Sequence, residues 1–136
     1  MSDNITVVKE FYAALGRGEL PAAIDLVAED VNWQSPVTRT HPPEIPWSSI
    51  RRTKQEVAVF FRELGQTVKP EGFEIIDITA QDERVVVEGK NRGTVHANKR
   101  AYEHDWVMLF TIRDGKIVRF RHYYDTGDLI PVFRGD

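Results

Sequence analysis

Apolar residues recur at helical spacing from the start of the chain. Ile5, Val8, Tyr12 and Leu15 form one stripe with Phe11 beside it, and Gly16 and Gly18 end it. Ser2 to Asn4 supplies cap residues ahead of this helix. A second, short helix is expected near Pro21, carrying Ile24, Leu26 and Val27 inward. Glu29 and Asp30 then lead into a short strand, Val31 to Ser35. Thr53-Lys54-Gln55-Glu56 is a capping box opening a third helix, with Val57, Phe60, Phe61 and Leu64 on one face and Gly65 at its end. After it the pattern predicts only strands: Phe73 to Thr79, Arg84 to Arg92, Tyr102 to Ile112 and Lys116 to Tyr124. Helices first and strands afterwards predict an α+β fold with an antiparallel sheet, in one domain spanning residues 1–136.

Between strand and capping box, residues 36–52 change character. Pro36, Pro42, Pro43 and Pro46 interrupt regular structure, while Ile45, Trp47 and Ile50 add apolar weight. Two readings follow: a lid over a cavity, or a fixed loop whose Trp47 plugs the core.

The last two strands hold the most informative pattern, because Asp114-Gly115 is a strong hairpin signal. A two-residue loop would pair Ile112 with Ile117 and set Arg119 and Arg121 against Phe110 and Met108. A three-residue loop would pair Ile112 with Lys116 and place Trp106, Met108, Phe110, Val118, Phe120, His122 and Tyr124 on one face. A one-residue slip turns every side chain over, so the apolar pattern favours the three-residue loop. His122 is then expected opposite Trp106, and His104 opposite Tyr124.

Composition narrows the chemistry. The 136 residues suffice for one domain with a real core; 29% are charged, 41% hydrophobic, and the net charge is -3. With no basic run longer than Arg51-Arg52, a nucleic-acid track is not expected. The absence of cysteine excludes disulfides and thiol catalysis. No apolar run reaches membrane length, and Met1 to Asn4 lacks the features of a signal peptide, so a cytoplasmic protein is expected.

Several segments together resemble the nuclear transport factor 2-like superfamily. They are Gly18-Glu19-Leu20, Asp25-Leu26 and Asp30-Val31-Asn32-Trp33 after the first helix, the Arg113-Asp114-Gly115-Lys116-Ile117 turn, and Arg121-His122-Tyr123-Tyr124-Asp125. Within the superfamily the chain is similar to SnoaL-like polyketide cyclases, ketosteroid isomerases and limonene epoxide hydrolases. The resemblance implies a cone-shaped curved sheet wrapped around N-terminal helices, an apolar cavity and a homodimer. Ketosteroid isomerase keeps a general-base Asp where this chain has Ser35, and an oxyanion-stabilising acid where it has Met108. The charged Asp-Arg-Asp set of the epoxide hydrolase falls at Asn91, Gly89 and His122, and its water-holding Tyr and Asn at Trp33 and Ser35. Neither machinery is preserved. The polyketide cyclases place a proton-transferring Asp near His122, where an imidazole keeps the ability to move protons.

These comparisons make His122 the candidate acid/base, the alternative being a core histidine satisfied by Tyr12, Tyr102 or Tyr124. Trp33, Ser35, Trp47, Asn91, His104, Trp106, Met108, Phe110, Phe120 and Tyr124 are the candidate ligand-binding residues. A small hydrophobic molecule bearing a carbonyl or hydroxyl is the expected ligand, with no organic cofactor. No ligand spacing points to a metal. Val107, Leu109, Ile117, Arg119, Arg121 and Tyr123 share the opposite sheet face, which reads as a homodimer interface. Isomerase, cyclase or dehydratase chemistry, non-catalytic binding, and a purely dimeric interaction module are the functions weighed.

Overall fold

A computed structural model describes residues 2–135. The elements run α1 (Ser2–Gly16), α2 (Leu20–Ile24), β1 (Val27–Ser35), β2 (Ser49–Thr53), α3 (Lys54–Thr67), β3 (Val68–Gln81), β4 (Arg84–Val95), β5 (Ala101–Arg113), β6 (Lys116–Tyr124) and α4 (Thr126–Arg134). The strands form one curved, unclosed sheet in the order β2-β1-β6-β5-β4-β3. All neighbours are antiparallel except β1 and β6, which run parallel. The sheet is therefore mixed.

Val8, Phe11 and Ala14 are the buried face of α1, and Val57 and Phe60 that of α3. Both helices pack on the inner face of the sheet. Thr53 caps α3 as its sequence requires, accepting the Glu56 N–H at 3.1 Å. Glu56 reaches back one residue further than expected, to the Arg52 N–H at 2.6 Å. At the head of α1 the expected caps Ser2 and Asp3 have side chains outside the described residues. Asn4 donates instead to the distant Asp82 carbonyl.

The hairpin departs from expectation. Asp114 and Gly115 both adopt positive φ, 53° and 75°, so the turn has two residues and not three. Ile112 pairs with Ile117, and Thr111 with Arg119, leaving Val118 as a bulge. That bulge restores the phase which the short turn would have inverted. Phe110 faces Phe120, Met108 faces His122 and Trp106 faces Tyr124. The inward row foreseen from the pattern survives, apart from Val118, but its partners shift by two residues.

The C-terminus corrects the expectation of strands only. Residues after Asp125 turn into α4, whose Leu129 is buried against the core, and Gly135 ends it in the left-handed region. Residues 36–48 are anchored. Ile45 and Trp47 are buried, and Glu44 pairs with Arg134 of α4 at 2.6 Å. Directly after this stretch comes β2, which the prolines obscured.

Close approach shapes β4. Gly89 lies opposite Trp106, and Gly93 opposite Tyr102. A Cβ at Gly89 would strike the Trp106 ring and the Glu74 carbonyl; one at Gly93 would strike Tyr102. These bare positions let two aromatic rings of β5 lie flat across β4. Among the described residues no helix is long and apolar enough to cross a membrane.

Candidate functional site

Alternation along β5 and β6 sends His104, His122 and Tyr124 to the inner face of the sheet, and β1 ends there with Ser35. These side chains meet at one small cavity of about 60 Å³. Ser35, Asn91, Tyr102, His104, His122 and Tyr124 supply its polar wall. Phe60, Leu64 and Val68 from α3 and β3, Trp47 from the proline-rich loop and Leu129 from α4 supply the apolar side.

His122 shares a hydrogen bond with Ser35, Nδ1 to Oγ at 2.9 Å. Ser35, and not a tyrosine, is thus the partner of this histidine. Tyr12, one of the expected partners, donates to Met108 Sδ at 3.0 Å. Tyr124 packs against both imidazoles, with ring centroids 4.6 Å from His122 and 4.7 Å from His104. Its hydroxyl accepts from Trp47 Nε1 at 3.2 Å, which fixes the loop to the cavity rim. Asn91 stands beside His104 in the β4–β5 ladder. Three buried atoms on this wall have no hydrogen-bond partner in the protein: Asn91 Oδ1, His104 Nδ1 and His122 Nε2.

The wall is electrically neutral at pH 7. Burial, reinforced by repulsion from His104, pushes the His122 pKa down to about 3. Burial likewise lowers His104. Burial first, and then the Glu71 charge, pushes the Tyr102 phenol up to about 12, and burial raises Tyr124 as well. No carboxylate lines the cavity. Such a wall can donate and accept hydrogen bonds and pass protons between neutral groups, but it holds a charged ligand poorly. Among the described residues no group of three or more His, Cys, Asp or Glu is placed to hold a metal.

Of the sequence candidates, Ser35, Trp47, Asn91, His104, His122 and Tyr124 come together at the cavity. Trp33, Trp106, Met108, Phe110 and Phe120 do not reach its wall; they are buried in the core behind it. Trp33 stacks on Phe120 with centroids 3.9 Å apart, and Trp106 stacks on Phe73 at 4.9 Å. Trp106 and Phe120 still flank His122, at 6.0 Å and 6.1 Å. Tyr102 and Leu129 were missed. Tyr102 shares the inward phase of His104, two residues away, so alternation alone could have found it. Leu129 lies in the unforeseen α4.

Comparison with known proteins places this geometry in context. A family model for the SnoaL-like domain matches residues 8–120. No curated protein matches the sequence significantly. Among solved structures, a nuclear transport factor 2-like protein from Burkholderia xenovorans is 30% identical, with 97% of this chain and 96% of that one covered, at a TM-score of 0.84. A nuclear transport factor 2-like protein of unknown function from Burkholderia pseudomallei is 26% identical over 98% of each chain, also at 0.84. A candidate polyketide cyclase from Xanthomonas campestris shares the fold at 24% identity, 97% coverage of both chains and a TM-score of 0.79. On the match over most of its length, the chain belongs to the SnoaL-like domain family, within the nuclear transport factor 2-like fold.

Proposed function

We propose that the chain binds a small carbonyl- or hydroxyl-bearing molecule in this cavity and catalyses proton-transfer chemistry on it, of the isomerase or cyclase class. The observation that carries the reading is the set of three unpartnered polar atoms, Asn91 Oδ1, His104 Nδ1 and His122 Nε2, on the wall of a single cavity. Each such atom costs about 1–3 kcal/mol when buried unpaired, a cost that a ligand's polar group would offset. His122 is the acid/base, Ser35 orients its ring, and Asn91 accepts a ligand hydroxyl. The candidate polyketide cyclase that shares the fold supports the reaction class. A volume of about 60 Å³ is far below the few hundred Å³ of a typical ligand pocket, so the ligand, or the part of it that enters, is a few heavy atoms.

Hydroxyacetone is a suitable probe, being small and carrying both polar groups. The protein is expected to speed deuterium exchange at its α-carbon in D2O, and His122→Ala to lose about 100-fold or more of that rate. An unchanged rate in His122→Ala would remove His122 from the chemistry. The second reading is binding without turnover, favoured by how strongly burial resists a charge on His122. It expects bound hydroxyacetone with no exchange above the buffer rate.

The outer sheet face supports a homodimer as part of this proposal. Val107 and Leu109 are half-buried there, and Tyr123 is 43% exposed. Val107→Glu is expected to shift gel filtration from dimer to monomer, and an unperturbed dimer would refute this interface.

A further inference from the structure

We infer that two copies of the chain pack outer face to outer face with their strands antiparallel, so that Asp105 of each copy lies between Arg84 and Arg119 of the other. The inference rests on the homodimer proposed above and deepens it, because it fixes which end of the face meets which. Its basis is the charge map of that face. Strand pairing sets the outward side chains in rows across β6, β5, β4 and β3. Arg119, Thr111 and Arg84 form one row, and Arg121, Leu109 and Val86 the next. Tyr123, Val107, Glu88 and Asp77 follow, and then Asp105, Lys90 and Glu74. Glu103, Arg92 and Gly72 form the last.

The first two rows therefore hold three arginines and no carboxylate. The last three hold Glu74, Asp77, Glu88, Glu103 and Asp105 against Lys90 and Arg92 alone. Between the two ends lie Val86, Val107 and Leu109, all half-buried, and the exposed Tyr123. Among the described residues Arg84, Arg119 and Asp105 form no ion pair, although Lys90 stands opposite Asp105 in the ladder. Arg121 spends its guanidinium on the Asn32 and Phe120 carbonyls, at 3.1 Å and 2.8 Å. A basic end, an apolar middle and an acidic end on one face make that face complementary to a reversed copy of itself.

Face-to-face packing puts the twofold axis in the plane of the interface. An axis along the strands would lay the arginine rows on each other. An axis across the strands, passing β5 between Leu109 and Val107, exchanges the two ends. Leu109 then covers the partner's Val107, and Arg121 meets the ring of the partner's Tyr123. Thr111 lies over the partner's Asp105. Arg84 and Arg119 flank Thr111, so the carboxylate arrives between two guanidinium groups. Symmetry repeats this cluster at the other end of the interface. Packed sheets lie about 10 Å apart, a gap that an arginine and an aspartate reaching from opposite sides can span.

The test is sedimentation velocity on the wild type, on Arg84→Glu with Arg119→Glu, on Asp105→Arg, and on the variant carrying all three substitutions. Each of the two charge-reversed variants is expected to weaken the dimer about 100-fold or more, because like charges then meet at both clusters. The triple variant, in which opposite charges meet again, is expected to return to within about tenfold of the wild type. Its recovery would also show that none of the substitutions destroys the fold. The wild-type dimer is expected to weaken as salt rises from about 0.05 M to about 1 M. A charge-reversed variant that dimerises as tightly as the wild type would overturn the arrangement. So would a triple variant as weak as the others, or a dimer indifferent to salt. If Val107→Glu is monomeric in that case, the face is still the interface and only the orientation falls. A wild type that is monomeric throughout would overturn both the arrangement and the homodimer beneath it.

Discussion

Acidification from pH 7 to pH 4 is expected to remove about 3 kcal/mol of folding stability through His122 alone. The folded protein holds this imidazole near pKa 3, against an ordinary value of 6.5. Below pH 6.5 the unfolded chain therefore binds a proton that the folded chain refuses. Stability falls by about 1.4 kcal/mol per pH unit across that window, and the loss levels off below the folded value. His104 acts in the same direction. The surface carboxylates Glu83 and Glu44, held low chiefly by Arg113 in the first case and by backbone and Arg134 hydrogen bonds in the second, also weaken the fold in acid. A comparison with His122→Gln cancels all of these shared contributions, and Gln keeps a polar partner for Ser35. Urea unfolding at pH 7 and pH 4 should show the wild type losing about 3 kcal/mol more than the variant. Equal losses would mean that His122 is solvated.

Trp33→Ala is expected to cost about 3–5 kcal/mol, a large part of the total stability of a domain this size. Trp33 is fully buried and joins three elements. Its ring stacks on Phe120 of β6 and meets Phe11 of α1 edge-on at 6.1 Å. It also meets Phe60 of α3 at 5.5 Å and Phe61 at 5.7 Å. A loss below about 1 kcal/mol in urea unfolding would show that helices and sheet do not depend on this cluster.

The fold was legible because its periods are clean. Val8, Phe11 and Leu15 carry the 3.6-residue repeat, and Tyr102 to Ile112 alternates without a break. The hairpin turn was misread for a physical reason. The apolar phase of Trp106, Met108 and Phe110 against Phe120 demanded an odd residue somewhere, and the sequence does not say whether it sits in the turn or as a bulge at Val118. Asp114-Gly115 formed the tight turn it favours, and the bulge absorbed the mismatch. Helix α4 was hidden by Gly127 and Pro131, both poor helix formers, although Asp125, Leu129 and Gly135 marked a start, a buried face and an end.

The site was legible in part. Position in the family and strand phase brought out His122, His104, Asn91 and Ser35, and all four reach the cavity. Aromatic character misdirected the rest. Trp33, Phe110 and Phe120 share the inward face with His122, but α1 and α3 cover that part of the sheet, so they pack against helices. Which portion of an inward face stays uncovered depends on where the helices end, and alternation carries no information about that.

Function at this cavity requires the neutral imidazole edge of His122 to meet a ligand. The most direct measurement is the ring-nitrogen NMR spectrum of the histidine-labelled protein, titrated with hydroxyacetone at pH 7. Saturable shifts are expected at His122 and His104, with His41 and His96 unmoved. Shifts confined to His41 or His96, or no saturable shift at all, would contradict it.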